Sequence, residues 1–134
     1  MKPKRKRVRA FTIDVARWLR GEDTSASYLL RPYDDKMCCL GQYAKACGFS
    51  DQEIAGLRGI KHTGHDAFGW RDCVTLPGAL PKEAPIMDLY QDNDDSTITL
   101  LRTRVRKIRA GFKRLGVTVR FKGLAAALRE EAGS

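Results

Sequence analysis

The chain has 134 residues, of which 43% are hydrophobic, and its formal net charge at pH 7 is +9. This length favours one domain with a modest core, and the composition excludes a chain that is disordered throughout. No apolar run reaches the roughly 18–20 residues that a membrane-spanning helix needs. The four cysteines lack a regular secretory spacing, which favours reduced thiols in a cytoplasmic protein.

The N-terminal part is predicted to contain an arm, a strand and a buried helix. Residues 1–6 are predicted to form a mobile arm, and the alternation of apolar with polar residues over about 7–14 predicts a strand. The apolar residues from Met37 to Cys47 predict a buried, cysteine-rich helix that ends at Gly48.

The middle of the chain carries weaker signals. A capping-box pattern at Ser50–Glu53 predicts a short helix that continues to about Leu57. Frequent glycines and prolines over 58–85 predict a long irregular loop. Another short helix is predicted over about 85–92.

The C-terminal part contains the longest predicted helix, over about 97–115. Its apolar stripe, with spacings of three and four, consists of Ile98, Leu101, Val105, Ile108, Phe112 and Leu115. Asn93–Ser96 is the expected N-cap and Gly116 the expected stop. Alternation over 117–122 predicts a closing strand, and 123–134 is predicted to be a loosely attached tail that forms a loose final turn of helix.

Pairing the first strand with the last, in the antiparallel sense, gives the most economical architecture. The chain is then a small α+β protein with a single domain over 7–122. In this domain the buried cysteine-rich helix and the long basic helix pack on the sheet.

Positive charge is distributed unevenly along this framework. Fifteen of the 25 Lys and Arg residues lie in two blocks without any acid, whereas the remainder has 10 basic and 16 acidic residues. The N-terminal block consists of Lys2, Lys4, Arg5, Lys6, Arg7 and Arg9. The C-terminal block consists of Arg102, Arg104, Arg106, Lys107, Arg109, Lys113, Arg114, Arg120 and Lys122. Such segregation creates a directional field that favours a polyanionic partner, nucleic acid above all.

Most cations of the longest helix fall in two rows. The first row, at spacings of four, three and four beside the apolar stripe, consists of Arg102, Arg106, Arg109 and Lys113. The second row consists of Lys107 and Arg114. Like charges four residues apart repel by roughly a few tenths of a kcal/mol, which favours a bound counter-charge over a merely solvated face. We predict phosphate contacts by both rows, with an auxiliary clamp in the arm formed by Lys4, Arg5, Lys6 and Arg7.

The thiols of the cysteine-rich helix admit three interpretations. They are most simply small core residues, since free cysteine is among the most buried residue types. Alternatively, Cys38 or Cys39 in the first helical turn is a nucleophile of lowered pKa. His62 or His65 would then be its base and Asn93 would orient that base.

A third interpretation is a metal site. His62 and His65, followed by Cys73, supply three ligands, and a cysteine of the predicted helix could be the fourth. The paired Cys-x2-Cys spacing typical of zinc sites is missing, so we predict no metal and no cofactor.

Three short motifs occur along the chain in a distinctive order: the Cys-Cys-Leu-Gly core Cys38–Gly41, a Leu-Pro pair at Leu76–Pro77 or Leu80–Pro81, and the Asn-Asp motif that begins at Asn93. In these motifs, and over most of its length, the chain resembles a family of small, mostly uncharacterised proteins encoded by bacteriophages and other mobile elements. The resemblance implies a bacterial host cell and a role in host takeover or evasion of host defence. It brings no established activity and no site residues. Acid-rich last helices in the relatives imply that the cationic row is a specialisation of this member.

We therefore predict a cytoplasmic, non-enzymatic protein that binds nucleic acid or a nucleoprotein complex through the basic helix and arm, with no membrane association. The alternative is an inhibitor whose basic face occupies an acidic patch of a host protein, for example one of a defence system. The third class is a cysteine-dependent enzyme.

Overall fold

The described part of the protein contains two pairs of parallel strands, five α-helices and a short 3-10 helix at Val15–Arg17. The computed structural model describes residues 6–21, 28–57, 59–61, 73–75 and 84–133. The strands are β1 (Ala10–Asp14), β2 (Gly59–Lys61), β3 (Cys73–Thr75) and β4 (Thr118–Lys122). The helices are α1 (Cys39–Ala46), α2 (Asp51–Ile54), α3 (Ala84–Asp94), α4 (Leu101–Arg114) and α5 (Leu124–Ala132).

The first and last strands pair, as predicted, but they run in parallel, so the antiparallel prediction is wrong. Phe11 lies opposite Val119 and Ile13 opposite Phe121. A tight hairpin imposes antiparallel pairing, whereas most of the chain, with its helices, separates these two strands. Their relative sense is set instead by the direction in which α4 crosses the sheet. The chain reverses after α4 at Gly116, whose φ is +78°, so β4 returns along the helix.

The core lies between one face of this sheet and helices α1 and α4. Three mutually contacting rings join the three elements: Phe11 of β1 lies 5.2 Å from Tyr43 of α1 and 4.9 Å from Phe112 of α4, between ring centroids. The Tyr43 and Phe112 rings are themselves 5.4 Å apart. Such ring pairs add about 0.5–1.5 kcal/mol each beyond the apolar area they bury. The buried cysteine-rich helix and the amphipathic basic helix therefore pack as predicted, and the protein is a small α+β domain.

Helix α1 is fixed at its start by the Cys-Cys-Leu-Gly segment. The Sγ of Cys38 accepts a hydrogen bond from the Gly41 N–H at 3.4 Å, so Cys38 is the N-cap. A Cβ on Gly41 would lie 1.8 Å from the Leu29 carbonyl oxygen. Only glycine therefore permits α1 to approach this segment so closely.

The middle of the chain contains more regular structure than predicted. Strands β2 and β3 pair in parallel within the segment predicted to be loop, with Gly59 opposite Cys73. Three-residue strands are too short for alternation to be visible in a sequence. The other residues of 58–85, apart from Ala84 and Pro85 at the start of α3, lie outside the described residues.

Helix α4 begins four residues later than predicted, and its predicted cap is wrong. Asn93 and Asp94 belong to the end of α3, and Asp95 instead closes a turn by accepting from the Thr97 N–H at 2.9 Å. The first turn of α4 has no side-chain cap of its own. The Leu101 N–H donates to the Glu131 carboxylate, 2.9 Å from Oε2.

Helix α5 supplies the Glu131 carboxylate. The chain after β4 is therefore not the loose turn of helix that was predicted but a helix of nine residues. Its Leu128 and Ala127 are partly buried against the core. Within the described ranges, no helix is both long and apolar enough to cross a membrane.

Candidate nucleic-acid interface

The first cationic row of α4 lies on the surface. Its members are all exposed: Arg102, Arg106, Arg109 and Lys113. None of the four forms an ion pair with a carboxylate from the described parts of the chain. Helix geometry explains the arrangement, because the row follows the rim of the apolar stripe that packs on the sheet.

The second row faces acidic residues of α3. Arg114 forms an ion pair with Asp88, with Nη1 2.6 Å from Oδ2. Burial raises the pKa of the Asp92 carboxyl, and the nearby charge of Lys107 opposes that shift. These two cations were predicted as phosphate contacts together with the first row, but in the structure they lie beside carboxylates of α3.

Arg109 connects the helix to the outer edge of β4. Its Nε donates to the Val119 carbonyl oxygen at 3.4 Å, and its Cζ lies 5.1 Å from the centroid of the Phe121 ring. The Thr118 N–H donates to the Arg9 carbonyl oxygen, so the N–H and C=O of Thr118 point toward β1. Since the N–H and C=O of successive residues in a strand point to opposite sides, those of Val119 point away from β1.

The parallel sense of the sheet places the N-terminal arm at the same end as the C-terminus of α4. The chain enters β1 from Arg9, whose carbonyl pairs with the first residue of β4, and β4 begins just after Lys113 and Arg114. Farther out, the Lys6 N–H donates to the Cys47 carbonyl oxygen at 2.9 Å. An antiparallel sheet would have put the arm at the opposite end.

The arm itself is described only in part. Lys6 is exposed and Arg7 is half-buried. Burial raises the pKa of the Cys47 thiol, and the nearby positive charge of Arg7 opposes that shift. Lys4 and Arg5 lie outside the described residues. The end of the sheet therefore carries Lys6, Arg7 and Lys113, whereas Arg102 lies a helix length away, about 16 Å by the rise per residue.

Two further cations lie on the sheet and were missing from the predicted interface. The exposed side chains of Arg120 and Lys122 point away from the helices, since the buried Val119 alternates with them. Their strand partners across the sheet are Thr12 and Asp14. The alternation of apolar and polar residues that predicted this strand also indicates that both cations face away from the core. It does not indicate which other charged residues lie beside them on the surface.

Arg104 belongs to the same acid-free block and has the opposite environment. It is 5% exposed, and its guanidinium donates to four backbone carbonyls, those of Asp92, Asn93, Asp95 and Ile98, at 2.7–2.9 Å. Burial lowers its pKa, and the acids around it oppose this shift. It joins the end of α3 to the start of α4 and is not available to a partner.

Asn93 is the buried centre of the motif residues. Its Oδ1 accepts from the Trp18 Nε1–H at 2.7 Å and from the Cys39 N–H at 3.0 Å, and its Nδ2 donates to the Leu19 carbonyl at 2.9 Å. The Cys-Cys-Leu-Gly segment and the Asn-Asp motif therefore touch each other directly. Their observed contacts are those of a structural core.

The three cysteines of the Met37–Cys47 segment lie in the interior. Cys38, Cys39 and Cys47 are reduced and buried, and burial raises the pKa of Cys39 well above its usual range. His62 and His65 lie outside the described residues, as does the Cys73 side chain. Among the residues that are described, no group of three or more His, Cys, Asp or Glu side chains could hold a metal ion.

Comparison of the chain with protein-family models, with curated proteins and with solved structures finds no match.

Proposed function

We propose that the protein binds nucleic acid, alone or within a nucleoprotein complex, through the first cationic row of α4 and the N-terminal arm. Arg106, Arg109 and Lys113 form the centre of this interface. Lys6 and Arg7 extend it at the end of the sheet where the arm enters. The proposal places the protein in the cytoplasm of a bacterial host, in phage or mobile-element biology.

The observation that carries the proposal is the contrast between the two rows of α4. Arg114 pairs with Asp88 at 2.6 Å, whereas all four members of the first row are exposed and have no carboxylate partner in the described ranges. A folded protein gains little from aligned, unpaired cations, which repel one another. A chain of phosphates would supply the missing counter-charge and release condensed counterions.

Salt dependence of binding is the first test. With about six phosphates engaged, the logarithm of the association constant for duplex DNA should fall with the logarithm of salt concentration at a slope of about −5. Fluorescence anisotropy with labelled duplex DNA, single-stranded DNA and RNA measures this slope for each. A slope near zero would contradict phosphate contacts as the source of affinity.

Charge reversal locates the interface. The double variant Arg106→Glu with Arg109→Glu should lower affinity at low salt by about 100-fold or more. Each lost phosphate contact releases fewer condensed counterions on binding, and the new carboxylates repel the phosphates. The matched control is Lys36→Glu with Arg129→Glu, two exposed cations outside the acid-free blocks. This control has the same net charge, so an equal loss of affinity would show that net charge, and not the row, determines binding.

The other two classes make distinct predictions in the same assay. If no nucleic acid binds even at low salt, the inhibitor of an acidic host protein becomes the better explanation. The double variant Cys38→Ala with Cys39→Ala should retain nucleic-acid affinity, provided that circular dichroism shows an intact fold. A loss of affinity in the folded variant would point instead to chemistry at the thiols.

A further inference from the structure

A groove at the outer edge of β4 combines positive charge with a backbone N–H donor. Its volume is about 250 Å³. It is lined by the C-terminal half of α4 and the start of β4, through Arg109, Ala110, Lys113, Val117, Thr118 and Val119. Since one water molecule takes up about 30 Å³, the groove has room for a tetrahedral oxyanion with part of its hydration.

The guanidinium of Arg109 is oriented before any ligand arrives. Its Nε donates to the Val119 carbonyl oxygen, and its Cζ lies 5.1 Å from the centroid of the Phe121 ring. Neither contact uses the two Nη groups, which have no acceptor in the part of the chain that the structure describes. A guanidinium with an open Nη edge binds an oxyanion through two parallel hydrogen bonds, and prior orientation reduces the entropy lost on binding.

Lys113 and the Val119 N–H complete the donor set. Lys113 lies one helical turn beyond Arg109 and lines the same groove, where its ammonium adds a second positive charge. The Val119 N–H points out of the same edge of β4, and no described residue accepts from it. A planar fork, a point charge and a backbone N–H together match the donors that phosphate groups use in proteins.

We infer that this groove binds one phosphodiester group of a nucleic-acid backbone, held by the Nη groups of Arg109, the Nζ of Lys113 and the backbone N–H of Val119. The inference rests on the proposed function for the source of the phosphate. It adds a specific position within the interface. Arg106 and Arg102 follow the groove along α4 at successive axial steps of about 4.5 Å and about 6 Å, so they contact the phosphates that follow.

The experiment uses the full chain labelled with ¹⁵N and two ligands. Inorganic phosphate tests the anion site alone, and a twelve-residue thymidine oligonucleotide tests the phosphodiester. Both should shift the Val119 amide and Arg109 Nε resonances saturably. Arg109→Gln and Lys113→Gln should each weaken oligonucleotide binding about tenfold, and Arg109→Lys should recover only part of the loss, because lysine keeps the charge but not the fork.

The matched control is Arg102→Gln, which removes the same charge from the same row outside the groove and should weaken binding less than about threefold. The ¹⁵N spectrum of each variant reports whether it is folded. If the oligonucleotide binds but leaves Val119 unmoved, or if Arg102→Gln costs as much as Lys113→Gln, the inferred groove is wrong while the proposed function stands. If phosphate shifts Val119 but neither DNA nor RNA binds, the nucleic-acid source is wrong and the proposed function fails with it.

Discussion

Arg104 and Arg106 are separated by one residue of α4, yet one lies in the interior and the other on the surface. Arg104 donates to carbonyls of the α3–α4 connection and is 5% exposed, whereas Arg106 is exposed and has no carboxylate partner in the described ranges. Two residues of helix turn a side chain by about 200°, which is enough to separate the two environments. An acid-free charge block is therefore not one functional unit. Part of it stabilises the fold and part of it remains available for a partner.

The interior region around Asn93 should give the largest effect on stability. Asn93→Ala leaves the Trp18 Nε1–H and the Cys39 N–H without their acceptor in a buried site, and each such loss costs about 1–3 kcal/mol. We expect the free energy of unfolding to fall by about 3–5 kcal/mol, measured by urea titration. The exposed neighbour Gln91→Ala is the control and should stay within about 0.5 kcal/mol of the wild type. Similar free energies of unfolding for the two variants would contradict the stabilising role of the Asn93 hydrogen bonds.

A matched pair of arginine substitutions should separate the two regions most cleanly. Arg104→Met and Arg106→Met remove the same charge from the same helix. We expect Arg104→Met to cost about 2–4 kcal/mol of unfolding free energy, because four hydrogen bonds to buried or partly buried carbonyls are lost. Arg106→Met should cost less than about 0.5 kcal/mol.

Binding should reverse that order. Arg106→Met should lower nucleic-acid affinity about 3–10-fold and reduce the salt slope by about one unit. Folded Arg104→Met, assayed at low temperature, should bind like the wild type. An affinity loss in both folded variants would indicate that the buried arginine also shapes the interface.

The capping of α4 by α5 should contribute a smaller amount. Glu131→Ala removes the carboxylate that accepts from the Leu101 N–H, and loss of a helix cap costs about 0.5–2 kcal/mol. Urea titration measures the change, and Glu130→Ala, on the same helix but exposed, is the control. Equal effects of the two substitutions would mean that general helix charge, and not the cap, accounts for the loss.

The smallest effect concerns pH and the carboxyl of Asp95. Hydrogen bonds from the Thr97 side chain and backbone lower the pKa of this carboxyl, with a further contribution from Arg104. Because the pKa of this carboxyl is lower in the folded state, its ionised form stabilises the fold at pH values above the pKa of the unfolded state, about 3.9. That stability is lost as the pH falls through the pKa of the folded state. Chemical denaturation between about pH 6 and pH 2 measures the free energy of unfolding at each pH. This free energy should fall less steeply with decreasing pH in Asp95→Asn than in the wild type. Parallel curves would contradict the assignment.

The candidate interface could be predicted in part from the chain alone. The spacing that predicted the apolar stripe also placed Arg102, Arg106, Arg109 and Lys113 on one row, and all four are exposed. The same spacing could not tell that Lys107 and Arg114 face Asp92 and Asp88, because which helix lies beside α4 depends on long-range packing.

The N-cap role predicted for the Asn-Asp motif was also wrong. Asn93–Ser96 has the composition of an N-cap, and caps are the commonest use of such residues before a helix. Asn93 instead bonds to Trp18 and Cys39, which are distant in sequence. A residue that satisfies buried donors from two other segments gives no local signal of that use.

The sequence by itself determined the elements whose causes are local: the alternating strands at both ends, the amphipathic α4, the capping box of α2 and the chain reversal at Gly116. Only the tertiary structure decided that the two strands run in parallel, that Arg104 is buried and that Arg109 lies against the edge of β4. The physical reason is range. Periodicity and capping act over a few residues, whereas strand direction and the choice between a buried and an exposed arginine depend on which distant segments pack against α4.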